Sequence, residues 1–199
     1  MNEIVFATKN KGKIREAAAF FEGRGIRILS LDDAGIDIDV IEDGTTFEAN
    51  AAKKALAASN AINGPAMADD SGLVVDALGG APGVDSAYFM GEHTPYEVRN
   101  NKILELMAGL PDSERAARFV CVIAIALPGK DLITARGELE GQIARKPAGS
   151  NGFGYDPIFY LPNLGLTTAQ LDTSKKNKIS HRGRAFLQIT NYELLITNY

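Results

Sequence analysis

The alternation of strand-like and helix-like segments is the feature that most restricts what this chain can fold into. An apolar run at residues 4–7 has strand character, and a helical pattern begins near Lys13. That helix carries its apolar residues on one face, at Ile14, Ala17, Ala18 and Phe21. A strand, a loop and a helix in this order are typical of α/β proteins, in which helices cover a sheet.

Two further helices are predicted from the residues that begin them. In the Ala-rich residues 45–61, Thr45 and Glu48 have the spacing of a capping box. The next helix is expected to end near Gly109. Its start carries similar signals, which are Thr94, Pro95 and Glu97. Both helices fit the α/β pattern of the first segment.

Apolar runs around these helices predict the remaining strands. They lie at residues 66–68, 73–75, 117–127 and 132–143. The Pro128-Gly129 turn between the last two runs predicts an antiparallel hairpin. Residues 147–162 are rich in Gly, Pro and aromatic residues, which indicates a shaped loop, and a last helix is expected to begin near His181. These elements together predict a mixed sheet flanked by helices.

Composition narrows the class of protein. The chain has 199 residues, 45% hydrophobic and 23% charged, which is typical of a globular domain with its own core. A single cysteine, Cys121, excludes a disulfide framework, and the net charge of -4 argues against bulk affinity for nucleic acid. The apolar start is too short for a signal peptide, and no stretch approaches the ~20 apolar residues of a membrane span. We therefore expect one soluble, cytoplasmic domain over residues 1–199, with no membrane or nucleic-acid partner.

The loop between the first strand and the first helix is a candidate phosphate site. Backbone N–H groups at a helix N-terminus, together with the helix dipole, attract anions. The segment is not a Walker loop, because Ala7 and Ile14 stand where Gly and Ser or Thr are required. A plain polar turn explains the pattern equally well. The residues concerned are Thr8, Lys9, Asn10, Lys11, Gly12 and Lys13.

Asp69 and Asp70 directly follow an apolar run, which predicts two adjacent carboxylates at the end of a strand. Neighbouring strand residues face opposite sides. One carboxylate can therefore act as a metal ligand or base, while backbone donors hold the other. Gly72 would permit a sharp exit from the strand. A capped Asx-turn explains the same residues equally well.

A second acidic group, Glu42 with Asp43, lies shortly before a predicted helix N-terminus. Magnesium is usually held by one or two carboxylates together with phosphates and waters, so Glu42 and Asp70 would suffice. On the predicted helix, Asn50 and Lys54 are four residues apart and share a face, from which an amide and an ammonium can reach one ligand. An exposed polar stripe is the simpler explanation of that pair.

Two motifs near the C-terminus suit recognition of a nucleotide base. Phe153 lies between two glycines and offers an aromatic face, and the nearby Asp156 can accept from base N–H groups. Aromatic residues more often pack into a core, so that alternative stays open. His181 and Arg182 supply donors suited to a purine keto oxygen or N7.

In order and over nearly the whole chain, these motifs resemble those of the Ham1-like family of inosine and xanthosine triphosphate pyrophosphatases. Two residues depart from the family pattern, since Lys9 replaces a common Gly and Gln170 a common Glu. The tail from Asn191 onward matches no family motif. The matching motifs are Thr8-x-Asn10-x-x-Lys13, Glu42-x-Gly44-x-Thr46-Phe47-x-x-Asn50-Ala51, Ala68-Asp69-Asp70-Ser71-Gly72-Leu73, Gly79-Gly80-Ala81-Pro82-Gly83, Gly152-Phe153-Gly154-Tyr155-Asp156-Pro157 and Ser180-His181-Arg182-Gly183.

The resemblance implies hydrolysis of a nucleoside triphosphate to the monophosphate and pyrophosphate. It implies an elongated α/β fold, with a mixed sheet, two lobes and a central cleft, and a homodimer. It places Mg²⁺ at Glu42 and Asp70, with Asp70 as the base for the attacking water. Residues 8–13 would contact the phosphates with help from Lys54, and Ser71 would touch the substrate. The nucleotide pocket would consist of Phe153, Gly154, Tyr155, Asp156, Lys176, His181 and Arg182.

Two alternative functions stay open on the sequence alone. One is a Maf-like pyrophosphatase with a related fold that acts on other nucleotides. The other is a nucleotide-sensing module without turnover, in which Glu42 and the pair Asp69 and Asp70 would be dispensable.

Overall fold

The computed structural model describes residues 2–190, so the tail from Asn191 lies outside the described residues. It confirms an α/β fold. The helices are α1 (Lys11–Phe21), α2 (Phe47–Ile62), α3 (Tyr96–Leu106), α4 (Thr173–Ile179) and α5 (His181–Ile189). The strands are β1 (Asn2–Phe6), β2 (Ile26–Leu29), β3 (Ala66–Val75), β4 (Ala116–Ala126), β5 (Ile133–Ile143), β6 (Phe159–Leu161) and β7 (Leu166–Thr167).

These seven strands form one sheet in the order β2-β1-β3-β4-β5-β6-β7. β1 pairs in parallel with β2 and β3, whereas β6 pairs antiparallel with β5 and β7. The predicted mixed sheet is therefore confirmed, and β4 and β5 are neighbours in it, as expected. Within residues 2–190, no helix combines the length and the apolar character needed to cross a bilayer.

The described chain divides into two compact units. Unit 1 consists of residues 2–70, 121–137 and 182–190, and unit 2 of residues 71–120 and 138–181. Each has its own apolar core. The core of unit 1 includes Phe6, Met67, Ile123 and Phe186, and that of unit 2 includes Leu73, Ile103, Phe119 and Phe159. The single domain over residues 1–199 and the central cleft stay predictions.

β3 is one continuous strand where the sequence predicted two. It runs from Ala66 to Val75 through the two aspartates, so the predicted strand end and the Asx-turn are both wrong. The reason lies in Gly72, where a Cβ would come within 2.3 Å of the Gly83 carbonyl oxygen and 2.4 Å of Ser86 Oγ. The glycine therefore lets a neighbouring segment approach the strand closely instead of ending it.

Two helices begin with other caps than those predicted. The hydroxyl oxygen of Thr46 caps α2 by accepting from the Ala49 N–H at 3.1 Å, so the capping box at Thr45 is wrong. α3 has Pro95 as its cap residue and no side-chain cap, so the cap predicted at Thr94 is wrong; the Thr94 hydroxyl donates to the Met90 carbonyl instead. The predicted helices are present all the same, since the tertiary packing of a helix contributes more to its stability than one cap.

Candidate active site

Asp70 lies in β3, and its carboxylate contacts two side chains of α2. Asn50 Nδ2 donates to Asp70 Oδ2 at 3.1 Å, and Lys54 Nζ lies 3.7 Å from Asp70 Oδ1. Asn50 is 2% exposed, which excludes the exposed polar stripe. Asn50 and Lys54 share a face of α2, because residues four apart in a helix lie on the same side, and both reach Asp70. Their contact with one ligand stays a prediction.

Glu42 joins this group through Lys54. Lys54 Nζ is 2.6 Å from Glu42 Oε2, so one ammonium contacts both carboxylates. Asn50 also holds the segment that carries Glu42, because its Oδ1 accepts from the Gly44 N–H at 2.8 Å. A Cβ on Gly44 would lie 2.5 Å from that oxygen, so only glycine fits here. The acidic site predicted from the sequence therefore lies within unit 1 as one connected group.

The pKa values of Asp70 and Lys54 are both raised, the first by burial and the second by nearby charges. Burial raises the pKa of Asp70 to about 6, because desolvation penalises the carboxylate more than Lys54 and Lys13 stabilise it. Desolvation also disfavours the charged form of Lys54, but its attraction to Asp70, Asp69 and Glu42 is stronger and raises its pKa. Near neutral pH, Lys54 stays charged, and Asp70 has a proton affinity suited to a general base.

The donor set of this group fits a hard divalent cation. Glu42 and Asp70 offer carboxylate oxygens that already converge on one cation, the ammonium of Lys54. Within residues 2–190, no group of three or more His, Cys, Asp or Glu side chains could hold a metal ion. A metal at the pair would therefore complete its shell with phosphate and water oxygens, which is the usual mode of Mg²⁺ binding.

Within residues 2–190, Asp69 contacts charged side chains and not the backbone donors that were predicted. Lys13 Nζ lies 2.9 Å from its Oδ1, and Arg182 Nη2 lies 2.9 Å from its Oδ2. Arg182 Nη1 in turn donates to Glu16 Oε2 at 2.5 Å. Desolvation of Asp69 is outweighed by the charges of Lys13, Arg182 and Lys54, which hold its pKa well below the usual range. Asp69 is therefore a permanently charged anchor that links β3 to α1 and α5.

The predicted phosphate loop is closed by the cap of α1. Asn10 Oδ1 accepts from the N–H groups of Gly12 at 2.8 Å and Lys13 at 3.3 Å, and the Asn10 N–H donates to Thr8 Oγ1 at 3.2 Å. The helix consequently begins at Lys11, two residues before its predicted start. Asn10 therefore engages two of the N–H groups that were expected to bind an anion, and the phosphate contacts of residues 8–13 stay a prediction.

Three lysines surround this helix start in unit 1. Lys9 and Lys11 are exposed, whereas the side chain of Lys13 is 15% exposed and paired with Asp69. Lys9 Nζ lies 3.6 Å from Asp39 Oδ1, and both side chains are largely exposed. An exposed pair of this kind contributes only about 0–1 kcal/mol, so a polyphosphate can compete for the Lys9 ammonium.

In unit 2, the carboxylate of Asp156 organises the predicted base motif. It accepts from the Phe153 N–H at 2.8 Å, from Lys176 Nζ at 2.6 Å and from the Thr168 hydroxyl at 2.8 Å. Lys176 Nζ also lies 4.8 Å from the centroid of the Phe153 ring. A Cβ on Gly152 would come within 2.1 Å of Asp156 Oδ2. These contacts hold the Phe153 backbone and place the Lys176 ammonium beside its half-buried ring, and stacking of that ring on a base stays a prediction.

Tyr155 belongs to the core of unit 2. Its hydroxyl donates to the Ser86 carbonyl oxygen at 2.8 Å, and its ring meets Tyr96 edge-on with centroids 5.3 Å apart. Burial raises its pKa above the usual range. The adjacent Gly154 carbonyl accepts from Asn100 Nδ2 at 3.1 Å. Tyr155 therefore packs into the core, as the alternative interpretation of the aromatic residues proposed, and it supports the loop that carries Phe153.

His181 lies at the start of α5, and Ser71 lies within β3. His181 is the first residue of α5, and its imidazole stacks on Phe119 with centroids 4.9 Å apart. Ser71 follows Asp70 in β3 and is partly buried. The substrate contacts predicted for His181 and Ser71 stay predictions, as does a contact from Arg182 to a base.

The sequence interpretation missed three residues that hold site residues in position. Glu16 contacts Arg182, Thr168 contacts Asp156, and Asn100 contacts the Gly154 carbonyl. Only Glu16 left a signal, because an acid three residues after Lys13 lies on the same face of α1 as that lysine.

Replacing Asn50 tests how this group is held together. Asn50→Ala removes the bonds to Asp70 and Gly44 and leaves their buried polar atoms without these partners, so we expect it to lower the free energy of unfolding by about 1–3 kcal/mol. Urea denaturation measures the change. The control is Asn60→Ala on the exposed face of the same helix, with an expected effect within about 0.5 kcal/mol. Equal midpoints for the two variants would contradict the bridging role of Asn50.

Known proteins resemble this chain over nearly its whole length. The sequence model of the Ham1 family matches residues 4–192. A dITP/XTP pyrophosphatase of Shouchella clausii is 51% identical over 185 residues, which cover 93% of each chain. One of Geobacillus kaustophilus is 49% identical over 189 residues, 95% of this chain and 93% of the relative. The solved structure of a HAM1 protein from Coxiella burnetii is 40% identical and superposes with a TM-score of 0.87 over 100% of both chains.

Proposed function

This chain belongs to the Ham1 family, and from that premise we propose that it removes non-standard purine nucleotides from the nucleotide pool. It hydrolyses dITP or ITP, and XTP or dXTP, to the monophosphate and pyrophosphate. The names of its relatives give dITP and XTP as the substrates of those proteins. The observation that carries this proposal is the convergence of Glu42 and Asp70 on one cation beside α2. A sensing module without turnover has no need for that arrangement.

We further propose that Mg²⁺ is the cofactor, held by Glu42 and Asp70. When bound there, the ion would neutralise phosphate charge and stabilise the charge that develops on the leaving pyrophosphate. The chain adds positive charge of its own near this pair, at Lys13 and Lys54. Lys9 and Lys11 extend this positive charge at the surface of the same unit. Much of the rate enhancement in such a site comes from positioning and electrostatics.

Asp70 is the proposed base. Its desolvated carboxylate accepts a proton from the attacking water more readily than an exposed aspartate does. Asn50 fixes the orientation of that carboxylate by donating to Oδ2. The water oxygen forms a bond to phosphorus at the anhydride between the α and β phosphates, and the bridging P–O bond breaks. One water is consumed, and the monophosphate and pyrophosphate leave.

The purine of the substrate is proposed to be selected by hydrogen-bond donors that require a keto oxygen at position 6. His181 or backbone N–H groups would donate to that oxygen, and the Phe153 ring, backed by Lys176, would stack on the base. Adenine carries an amino group at position 6 and would leave such a donor unpaired, at a cost of ~1–3 kcal/mol for each buried group. Arg182 donates to Asp69 and Glu16 in unit 1, so its main role here is to hold Asp69.

A substrate panel tests the proposed activity. We expect pyrophosphate release from dITP and XTP to exceed that from ATP by about 5–150-fold in kcat/KM, the equivalent of ~1–3 kcal/mol, with GTP also slower. Removing Mg²⁺ with a chelator should abolish the release. Equal rates on dITP, XTP, GTP and ATP would contradict the specificity. Turnover confined to other nucleotides would favour the Maf-like alternative, and nucleotide binding without turnover would favour the sensing module.

Two proposals concern assembly and location. The family resemblance favours a homodimer, which light scattering of the purified protein would test. A function in cleansing the nucleotide pool favours the cytoplasm, where the substrates of nucleic-acid synthesis are held, and fractionation of cells would test this location. A monomer or a secreted protein would contradict the respective proposal.

A further inference from the structure

We propose that Lys54 occupies the place of the divalent cation between Glu42 and Asp70, and that the metal must displace its ammonium in order to bind. This inference rests on the proposed metal site and adds that the Lys54 ammonium competes with the metal for the two carboxylates. It assigns Lys54 a role before substrate arrives, in addition to any contact with the phosphates. The two carboxylates would then never be left without a cation.

The geometry of the three side chains supports the displacement. Lys54 Nζ lies 2.6 Å from Glu42 Oε2 and 3.7 Å from Asp70 Oδ1. The side chains of Lys54, Glu42 and Asp70 are only 13%, 21% and 7% exposed. The ammonium therefore donates to a carboxylate oxygen that a metal bound at this pair would use as its ligand. An ion and an ammonium cannot both occupy that position.

Electrostatics gives the reason for this arrangement. Two carboxylates removed from water repel each other and need a counter-charge close by. Asn50 donates one hydrogen bond to Asp70, but it carries no charge. Lys54 supplies the charge on a long unbranched stem that can swing away without movement of the backbone. A mobile ammonium is thus a cation that can be exchanged for another cation.

The displacement would couple the metal to the substrate. In the free protein, the metal must remove an ammonium from its partners, which weakens metal binding. A bound triphosphate offers that ammonium new anionic partners, so the metal then binds more tightly. By thermodynamic linkage, the metal must strengthen triphosphate binding by the same factor. Hydrolysis would therefore be confined to the state in which metal and triphosphate are both present.

Metal affinity without nucleotide tests the proposal directly. Mn²⁺ prefers the same oxygen ligands as Mg²⁺, and its electron paramagnetic resonance signal reports the free ion. We expect Lys54→Met to bind Mn²⁺ about tenfold more tightly than the wild-type protein, because a competing like charge has been removed. Lys53→Met is the matched control, since it removes the same charge one residue away, where Lys53 pairs with the exposed Asp43. We expect the affinity of this control to stay within about twofold of wild type.

Thermal unfolding gives a second readout. In the presence of a chelator, Lys54→Met should melt at a lower temperature than wild type, and saturating Mn²⁺ should raise its Tm by more than it raises that of wild type. If Lys54→Met does not fold without metal, Lys54→Gln keeps a donor to Glu42 without the charge and serves in the same titration. An affinity for Mn²⁺ equal to or weaker than that of wild type in the variant that folds would overturn the displacement.

The outcomes separate this inference from the proposed function. A wild-type protein that hydrolyses dITP, with unchanged Mn²⁺ affinity in the Lys54 variants, overturns only the displacement. A wild-type protein that hydrolyses neither dITP nor XTP overturns the proposed activity, whatever the metal affinities are. Glu42→Gln in the Lys54→Met background should weaken Mn²⁺ binding again, and failure to do so would place the metal elsewhere and overturn the displacement.

Discussion

Asp70→Asn lowers kcat for dITP by about 10²–10⁴-fold, the usual contribution of a general base, while the protein stays folded and still binds nucleotide. The asparagine fills the same volume and can keep a hydrogen bond with Asn50, but it cannot accept the proton of the attacking water. It also carries no charge with which to ligate a metal. Steady-state kinetics of pyrophosphate release measures the loss, and nucleotide binding is measured separately by calorimetry.

The control for this experiment is Asp76→Asn, just beyond β3. Asp76 pairs with Arg118 at the surface, and its side chain is 48% exposed, so the same chemical change there should alter kcat by no more than about twofold. An Asp70→Asn protein with full activity would remove Asp70 from its proposed role. An equal loss in both variants would point to a general effect of charge and not to a base.

The parts of the site that the sequence predicted well depend on local geometry. Asn50 and Lys54 lie four residues apart in a long helix, so their shared face follows from the helical period alone. Asp69 and Asp70 are neighbours in a strand, which is why their carboxylates contact different helices. Helix existence was also predictable, because periodic apolar residues over several turns give a strong signal.

The features that were not predicted depend on contacts distant in sequence. Gly72 continues a strand because Gly83 and Ser86 approach it, and no local pattern reports that approach. Asp69 meets Arg182, which is 113 positions away in the chain. The sequence therefore indicated that one aspartate of the pair is held in place, but neither the charge of its partners nor their identity could be read from it.

Short elements were missed for a different reason. β2 has only four residues, and α4 has seven that are mostly polar, so neither segment contains enough apolar positions to establish a period. Thr45 and Thr46 are chemically equivalent cap candidates, and the hydrogen bond to Ala49 decides between them. Boundaries of this kind are fixed by single hydrogen bonds, which residue patterns do not encode.

Asp69→Asn, one residue from the proposed base, should have the opposite phenotype. Its carboxylate is buried between Lys13 and Arg182, and the side chain of Arg182 is only 2% exposed. Removing one member of a buried charge group leaves the others uncompensated, so we expect the free energy of unfolding to fall by about 3–5 kcal/mol. The midpoint of urea denaturation should decrease with an unchanged slope. This loss would be among the largest for a single substitution in the chain, because only a few mechanisms reach that size.

Comparing the stabilities of Asp69→Asn and Asp70→Asn tests this prediction closely, since both variants make the same chemical change in the same strand. The folded protein raises the pKa of Asp70, so at pH 7 its charge opposes folding, and Asp70→Asn should not lower stability through loss of that charge. The folded protein lowers the pKa of Asp69. At pH values above the usual pKa of an aspartate, the charge of Asp69 therefore favours folding. The free energy of unfolding of Glu16→Gln should lie between those of the two aspartate variants, because Arg182 keeps its contact with Asp69. An Asp69→Asn protein as stable as Asp70→Asn would show that Asp69 is not the anchor of β3, and that Lys13 and Arg182 are held by other groups.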